Sequence, residues 1–512
     1  MTDWRAGYTA DIGYTYGYYS ELNPLRLQLV LLAAGLVPPQ NGTACELGFG
    51  QGISVNIHAA ASATRWFGND FDPAQAAFAQ ELAAASGAGA VLSDESFEQF
   101  CHRPDLPDFD YICLHGIWSW ISDHNRAVIV DFLRRKLKVG GVVYISYNTQ
   151  AGWAAMTPMR DLMAEHGRTM SAPGQPLAGR VDGALDFIER MAAIQPRYLL
   201  ANPLLAERLA RLRQLDSTYL AHEYFNQHWQ PMSFSATALM LESAKLTFAV
   251  SALYTDHIEM LNLTPEHQQF LSGIADANFR QTTRDFLVNQ QFRQDYWVKG
   301  ARRLSEIEQM AALRQLRFLL AMPRENIVMT VQGALGTAAM DPAVYGALLD
   351  VLQDHRIHSI AELEQDLRGS QLDFRMLLQA IVILASKGCL LAVQDDELIK
   401  KAWGPSEKLN RYLIGKALVR SDLTTLASPV TGGGFVVLHL QQLFLLAKDQ
   451  GRQTPEQWSL FAWQALSAMK QTMVVDGVVL STEQENLAEI RSHAQYFSDT
   501  VLPVLGALGI AA

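Results

Sequence analysis

Glu46, Gly48, Gly50 and Gly52 form an E-x-G-x-G-x-G run between an apolar strand predicted over 43–48 and an alanine-rich helix running through Ala63. Glycine turns readily at positive φ and leaves no Cβ between backbone and ligand. An adenosine or amino-acid moiety can therefore lie directly on this loop. The Glu46 carboxylate, at the end of the strand, can face a ligand ammonium. Asp70 closes a second predicted strand, 65–70, and an acid there can accept both hydroxyls of a ribose. Phe71 can cover one face of an adenine. A dinucleotide fingerprint, G-x-G-x-x-G, needs glycine where Ile53 stands. The pattern favours S-adenosylmethionine over a dinucleotide. Asp72-Pro73-Ala74-Gln75 reads as an N-cap, a proline at N1 and a Gln at N3. Asp72 is thereby assigned a capping role worth ~1 kcal/mol, and the ribose falls to Asp70.

The elements that must position these residues alternate. Strands are predicted at 43–48, 65–70, 90–93, 111–115 and 142–146, the last after a Gly140-Gly141 turn. Helices are predicted at 24–36, through Ala63, to about Ala85, and over 125–138 with a basic last turn suited to the helix dipole. Ser96-x-x-Gln99 caps a short helix between. This alternation predicts a doubly wound, largely parallel sheet. Helices are expected over 156–218, broken at 172–176, and over 236–244. Strands at 246–250 and 292–298 would complete a seven-stranded, Rossmann-like α/β core with a helical insertion. Helices near 342–354, 360–367 and 373–387 followed by a strand at 389–393 resemble a winged helix, and 405–512 reads as mostly helical, with a turn at 429–434 and a capping box from Thr454 to Gln457. The expected domains are 1–155, 156–218, 219–303, 304–402 and 403–512.

With 512 residues the chain exceeds one ordinary domain. A net charge of −11 gives no basic excess to neutralise a phosphate backbone. Within 340–400 five Lys/Arg face ten Asp/Glu, so the winged-helix-like segment reads as a protein contact or a structural element and nucleic acid is not an expected partner. Cys45, Cys101, Cys113 and Cys389 lack metal or disulfide spacing, which points to a reducing compartment. The N-terminal residues lack the pattern of a signal peptide, and no apolar run reaches the ~20 residues of a membrane span. The expectation is a cytoplasmic protein without integral membrane association.

These residues together resemble a bacterial class I methyltransferase family that carries a methyltransferase regulatory domain, whose best-known members are rickettsial protein-lysine methyltransferases acting on outer-membrane proteins. Asp11 to Tyr14 with Asn23-Pro24 is similar to the family's N-terminal cap, and Glu46-Leu47-Gly48 to its cofactor loop. His115 to Trp120, and Ser146-Tyr147-Asn148 with Gly152-Trp153, are similar to its segments after strands four and five. His222-Glu223-Tyr224 and Phe292 to Asp295 resemble the two ends of its regulatory region, and Leu426 to Pro429 recurs in its C-terminal part. Ala151, where a proline is common, and Phe49-Gly50 depart from the pattern and put the substrate in question. The resemblance implies S-adenosylmethionine as cofactor, a lysine of a protein as acceptor, and a homodimer, with the helices of 156–218 as the expected contact.

Methyl transfer is an in-line displacement that requires positioning in a dry pocket and a neutral amine, but no metal. Asp94 can accept from the adenine amino group or merely close its strand. His115, past the fourth strand, can touch cofactor or nucleophile or be structural. Trp118, Trp120, Tyr147 and Trp229 can form an aromatic slot, which suits a cationic methylated product, or can pack the core. Tyr14, Tyr16 and Tyr18 can act as a lid or as an anchor. Glu223, beside His222, can handle the proton or can pair with Arg293 or Arg284. The expected catalytic set is His115, Tyr147, Glu223 and Tyr14, with Trp118, Tyr147, His222 and Trp229 at the substrate. The absence of a D/N-P-P-Y motif argues against nucleic-acid amines. A small-molecule or peptide acceptor, and a non-catalytic cofactor-binding protein, are the competing readings.

Overall fold

The computed structural model describes residues 15–40, 42–172, 174–215 and 217–511, with the side chains of Ser217 and Thr218 excepted. Tyr14 and the rest of the 11–14 segment lie outside the described residues. Helix α1 (Pro24–Ala33) starts at Asn23, whose side chain accepts from the Leu25 amide, with Pro24 at N1. It ends before the expected Leu36, which instead bridges to Arg303.

The core alternates as expected: β1 (Thr43–Leu47), α2 (Ile53–Ala61), β2 (Arg65–Asn69), α3 (Pro73–Ser86), β3 (Val91–Ser93), α4 (Phe97–Cys101), β4 (Phe109–Leu114), α5 (Asp123–Lys136) and β5 (Leu137–Asn148). Asp72 caps α3 through the amides of Ala74 and Gln75, and Ser96 with Gln99 closes a capping box on α4. The Gly140-Gly141 pair is not a turn before β5 but an irregularity inside it. Pairing jumps from Phe109 with Leu137 to Tyr111 with Val142, and Lys138 reaches back to Asp110 at 2.9 Å.

A run of helices follows: α6 (Gln150–Trp153), α7 (Thr157–Thr169), α8 (Leu177–Ala193), α9 (Arg197–Ala201) and α10 (Pro203–Leu212). Then come α11 (Ser217–Tyr224), α12 (Phe234–Glu242), β6 (Leu246–Ser251), α13 (Glu259–Asn262), α14 (Pro265–Ser272), α15 (Ala277–Leu287) and β7 (Phe292–Lys299). The seven strands lie in the order β3-β2-β1-β4-β5-β7-β6. β1 to β5 pair in parallel, and β7 runs antiparallel to both β5 and β6.

Both faces of this sheet are covered, so side chains alternate between two apolar layers. One takes Ala44, Trp66, Tyr111, Cys113, Tyr144 and Tyr296. The other takes Cys45, Phe67, Ile112, Leu114, Ile145, Tyr147 and Trp297. The strand order reverses between β1 and β4, which opens a crevice at their C-terminal ends.

Beyond residue 300, Arg317–Leu320, His358–Ser359 and Leu390–Val393 form a three-stranded sheet with helices Pro342–Leu352, Ile360–Asp366 and Phe374–Ser386 beside it. The long helix Asp396–Lys416 then packs against α2 and α3, and the Ser406 hydroxyl donates to the Ala60 carbonyl at 3.1 Å. Helix α2 is consequently buried along its whole length. Among the described residues no helix is long and apolar enough to cross a membrane.

Candidate active site

The crevice at the strand reversal holds a cavity of about 260 Å³ lined by Glu46, Gly48, Gly50, Asp70, Phe71, Gln75, Phe97, His115, Ile117 and Trp120, among others. Glu46 ends β1 almost fully buried, and its Oε2 has no hydrogen-bond partner. Burial, reinforced by the nearby Asp70 carboxylate, pushes its pKa up to about 8. Asp70 Oδ2 accepts from the Gly50 amide at 2.8 Å, and Oδ1 accepts from the Asp72 amide at 3.0 Å. Its pKa is nonetheless raised to about 7, because burial outweighs those two amides. Asp70 therefore clamps the glycine loop as well as facing the cavity. Its remaining lone pairs are what a diol would meet.

Gly48, Gly50 and Gly52 all adopt positive φ. A Cβ on Gly48 would lie 2.4 Å from Ile117 Cδ1, on the wall of the cavity. Gly52 does something else. It caps α2 and faces α3, where a Cβ would lie 2.4 Å from that of Ala79. Its smallness serves helix packing and not contact with the cavity. Asp94 also departs from expectation: it is exposed and off the cavity wall, which after β3 is built by Ser96, Phe97 and Glu98.

His115 follows β4 and stacks on Tyr19 with ring centroids 3.8 Å apart, while its Nδ1 shares a 2.8 Å hydrogen bond with the Tyr144 hydroxyl. Burial lowers its pKa to about 3, so the ring is neutral and a weak base at physiological pH. A neutral ring adds no repulsion toward a cationic ligand.

A second cavity of about 430 Å³ adjoins the first and shares Tyr19, His115, Gly116 and Trp120 with it. Its far wall comes from Asn148, Trp153, Arg208, Tyr219, His222, Glu223, Tyr224, Gln291 and Phe292. Burial raises Glu223 to about 7, while the Asn148 side chain, Arg208 and Arg160 pull it the other way. Neither ion pair considered for Glu223 forms. Arg293 is taken by Asp285 and Asp295, and Arg284 by Asp256. Arg208 lies over the Trp153 ring, 4.1 Å from its centroid.

Tyr147 and Trp118 are not in either cavity. Both are fully buried in the apolar layer on the opposite face of the sheet, and the Tyr147 hydroxyl donates to Asp295 at 3.0 Å. Successive residues of β5 point to opposite faces, so Tyr144 and Asn148 face the site and Tyr147 cannot. Trp229, half-buried, packs edge-on against Trp153 at the margin of the core of the helical insertion, outside the cavity wall. Tyr16 packs on Phe78 with Arg420 over its ring, and the Tyr18 hydroxyl meets His58 Nε2 at 3.1 Å. These two anchor their segment, and among the described residues of this segment it is Tyr19 that lies at the site. Sequence reasoning also missed Tyr144 and Arg208, which carry no local motif, and gave Phe292 no place in the site although it opens the Phe292 to Asp295 motif.

The unpartnered Glu46 Oε2 and the side-chain-free floor at Gly48 fit the amino-acid end of S-adenosylmethionine, with Asp70 and Phe71 left for the nucleoside. A family model described as "Predicted methyltransferase regulatory domain" matches residues 216–299, which supply α11, β6 and β7. The protein sll1526 of Synechocystis is 38% identical over 99% of this chain and 100% of its own length. RP789 of Rickettsia prowazekii is 26% identical over 55% of this chain and 51% of its own. The structure of PKMT2 from Rickettsia typhi in complex with AdoHcy has the same fold, with a TM-score of 0.69 at 16% identity across 97% of this chain and 99% of that one. With a relative matched over its whole length at 38% identity, the chain belongs to one family with sll1526, and its residues 216–299 match the methyltransferase regulatory domain.

Proposed function

We propose that the protein methylates lysine side chains of a protein substrate. The observation that carries this reading is the pair of cavities meeting at Tyr19, His115, Gly116 and Trp120. Glu46, Gly48, Gly50, Asp70 and Phe71 would hold the cofactor in the first. The cofactor supplies an electrophilic methyl group on a sulfonium. The second cavity receives the acceptor: Tyr19, Trp120, Trp153, Tyr219, Tyr224 and Phe292 surround it with aromatic rings, which suit an aliphatic amine that becomes cationic. Glu223, titrating at about 7, takes the proton that a lysine ammonium must lose before its nitrogen attacks. The C–N bond forms as the C–S bond breaks, and sulfur keeps the electron pair. Holding the two compartments in line is the main contribution of the fold.

The reading includes a homodimer through the helices of 156–218, supported by the exposed Met170, Ile194, Leu200 and Leu204, and a cytoplasmic location. It also assigns the winged-helix-like segment 304–402 to protein contacts. A second reading, a small-molecule or peptide acceptor, is favoured by Arg208, whose guanidinium beside Glu223 suits an acceptor that carries a carboxylate.

The test uses purified protein, methyl-labelled S-adenosylmethionine and a lysate of the source cells. Base-stable label on protein, absent with Glu223→Gln and with Gly50→Arg, is the expected result. Label confined to the small-molecule filtrate overturns the lysine reading in favour of the second. Cofactor binding without transfer into either fraction leaves a non-catalytic binding protein.

A further inference from the structure

Arg26 is a cation with an incomplete environment. It projects from α1 into a cavity of about 50 Å³, separate from the two described above, lined by Tyr18, Ser20, Asn23, Tyr254, Phe318, Leu390, Thr431 and others. Its Nε is buried without a hydrogen-bond partner, and among the described residues its guanidinium is in no ion pair. One face is covered by the Tyr254 ring, 4.1 Å from centroid to guanidinium carbon. Glu21 lies within electrostatic reach but does not line the cavity. Across the cavity, Thr431 is 5% exposed and its Oγ1 also has no partner.

A buried donor without an acceptor is costly, and so is a buried hydroxyl with no partner. Two such groups converge here on one space. A cavity needs roughly 10–15 Å³ on this measure to hold one water, so this one has room for a compact tetrahedral ion but not for a phosphoester with an organic arm. We propose that it binds a small free oxyanion of phosphate size, held by the Arg26 guanidinium and the Thr431 hydroxyl. Bidentate contact to an oxyanion is what a guanidinium fork is shaped for.

The position gives the site a role. Its wall joins the N-terminal segment, the residues after β6, the three-stranded sheet beyond 300 and the C-terminal turn at 431–434. Tyr18 lines this cavity, and its neighbour Tyr19 lines both compartments of the active site. Anion binding would therefore fix the segment that places Tyr19.

Equilibrium dialysis of the full-length protein against labelled inorganic phosphate tests this. One saturable site per chain is expected, weakened at least ~10-fold by Arg26→Gln and more modestly by Thr431→Val, which keeps the cation and the side-chain volume. Absence of saturable binding to the wild type overturns the proposal. So does a site whose affinity both substitutions leave unchanged.

Discussion

Replacing Glu46 with glutamine should make the protein more stable and a poorer cofactor binder. In the unfolded chain this carboxyl titrates near 4.5, and in the fold near 8, because burial disfavours the anion and Asp70 adds repulsion. Below pH 4.5 it is protonated in both states and contributes nothing. As pH rises from there the unfolded chain ionises first, so the folded state loses stability until about pH 8, above which the loss is constant. At 1.36 kcal/mol per pKa unit, the full loss approaches roughly 4–5 kcal/mol as an upper limit. Glu46→Gln removes it, so urea midpoints of variant and wild type should coincide near pH 4 and diverge toward pH 9, with the variant higher. Cofactor binding reverses the preference. An ammonium beside Glu46 favours the carboxylate, so binding at pH 7 should expel ~0.9 proton from a group with pKa about 8. Affinity should then rise with pH by up to ~10-fold per unit below pH 8. Calorimetry in buffers of different ionisation enthalpy measures the proton count directly. The work belongs at pH 7 and below, where the cofactor's own amino group, near 7.7–8.0 for its type, stays protonated. Asp70, near 7, releases some proton as well, so the decisive quantity is the difference between the two proteins. Equal proton release from wild type and Glu46→Gln would refute the argument, as would a variant less stable than wild type at pH 9.

Arg208→Gln should move the acid limb of methyl transfer upward by ~0.5 pH unit or more, because the guanidinium is one of the groups holding Glu223 down to about 7. A rate–pH profile compared with that of Arg208→Lys checks this. Tyr147→Phe should leave methyl transfer within about twofold while costing about 1–2 kcal/mol of stability, since Asp295 loses one donor but keeps Arg293. Urea denaturation and initial rates measured together separate the two effects. Gly52→Ala forces a Cβ to 2.4 Å from that of Ala79 at a left-handed φ, and should cost about 2–4 kcal/mol. Its cofactor affinity, measured well below the melting temperature, should change little.

The cofactor half of the site was legible because its residues are close in sequence. Glu46, the glycines and Asp70 belong to one strand-loop-helix-strand unit, and glycine at a positive φ leaves a readable trace. Of the second cavity's wall, the sequence pointed to His115, Trp120, His222 and Glu223, in part through a resemblance. Arg208 reaches the same chamber from a distant helix, and nothing local announces that. Tyr147 shows a different limit. A strand buried on both faces is apolar throughout, so its pattern reveals alternation but not which set of residues faces the ligand. Tyr144 and Tyr147 differ by three positions and therefore by face. The same blindness placed Trp118 beside Trp120 in the slot, when one belongs to the core and the other to the cavity. Of the lid-or-anchor candidates, Tyr16 and Tyr18 anchor their segment on neighbouring rings, Tyr14 lies outside the described residues, and Tyr19, which was not a candidate, stacks on His115.

The ladder between β5 and β7 has a consequence for how this protein can change over evolutionary time. The segment matched by the regulatory-domain model supplies β6 and β7, and with them Gln291 and Phe292 of the acceptor chamber. It is not an accessory that can be traded between lineages like a bead on a string. Deleting it would strip the edge from β5, leaving a row of unpaired amides open to aggregation. The wall of the second cavity and the cover on the edge of β5 thus come from the same stretch of chain. Within this stretch the chamber can be reshaped only by changes at wall residues of α11 and the rim of β7, while the ladder beneath keeps its register.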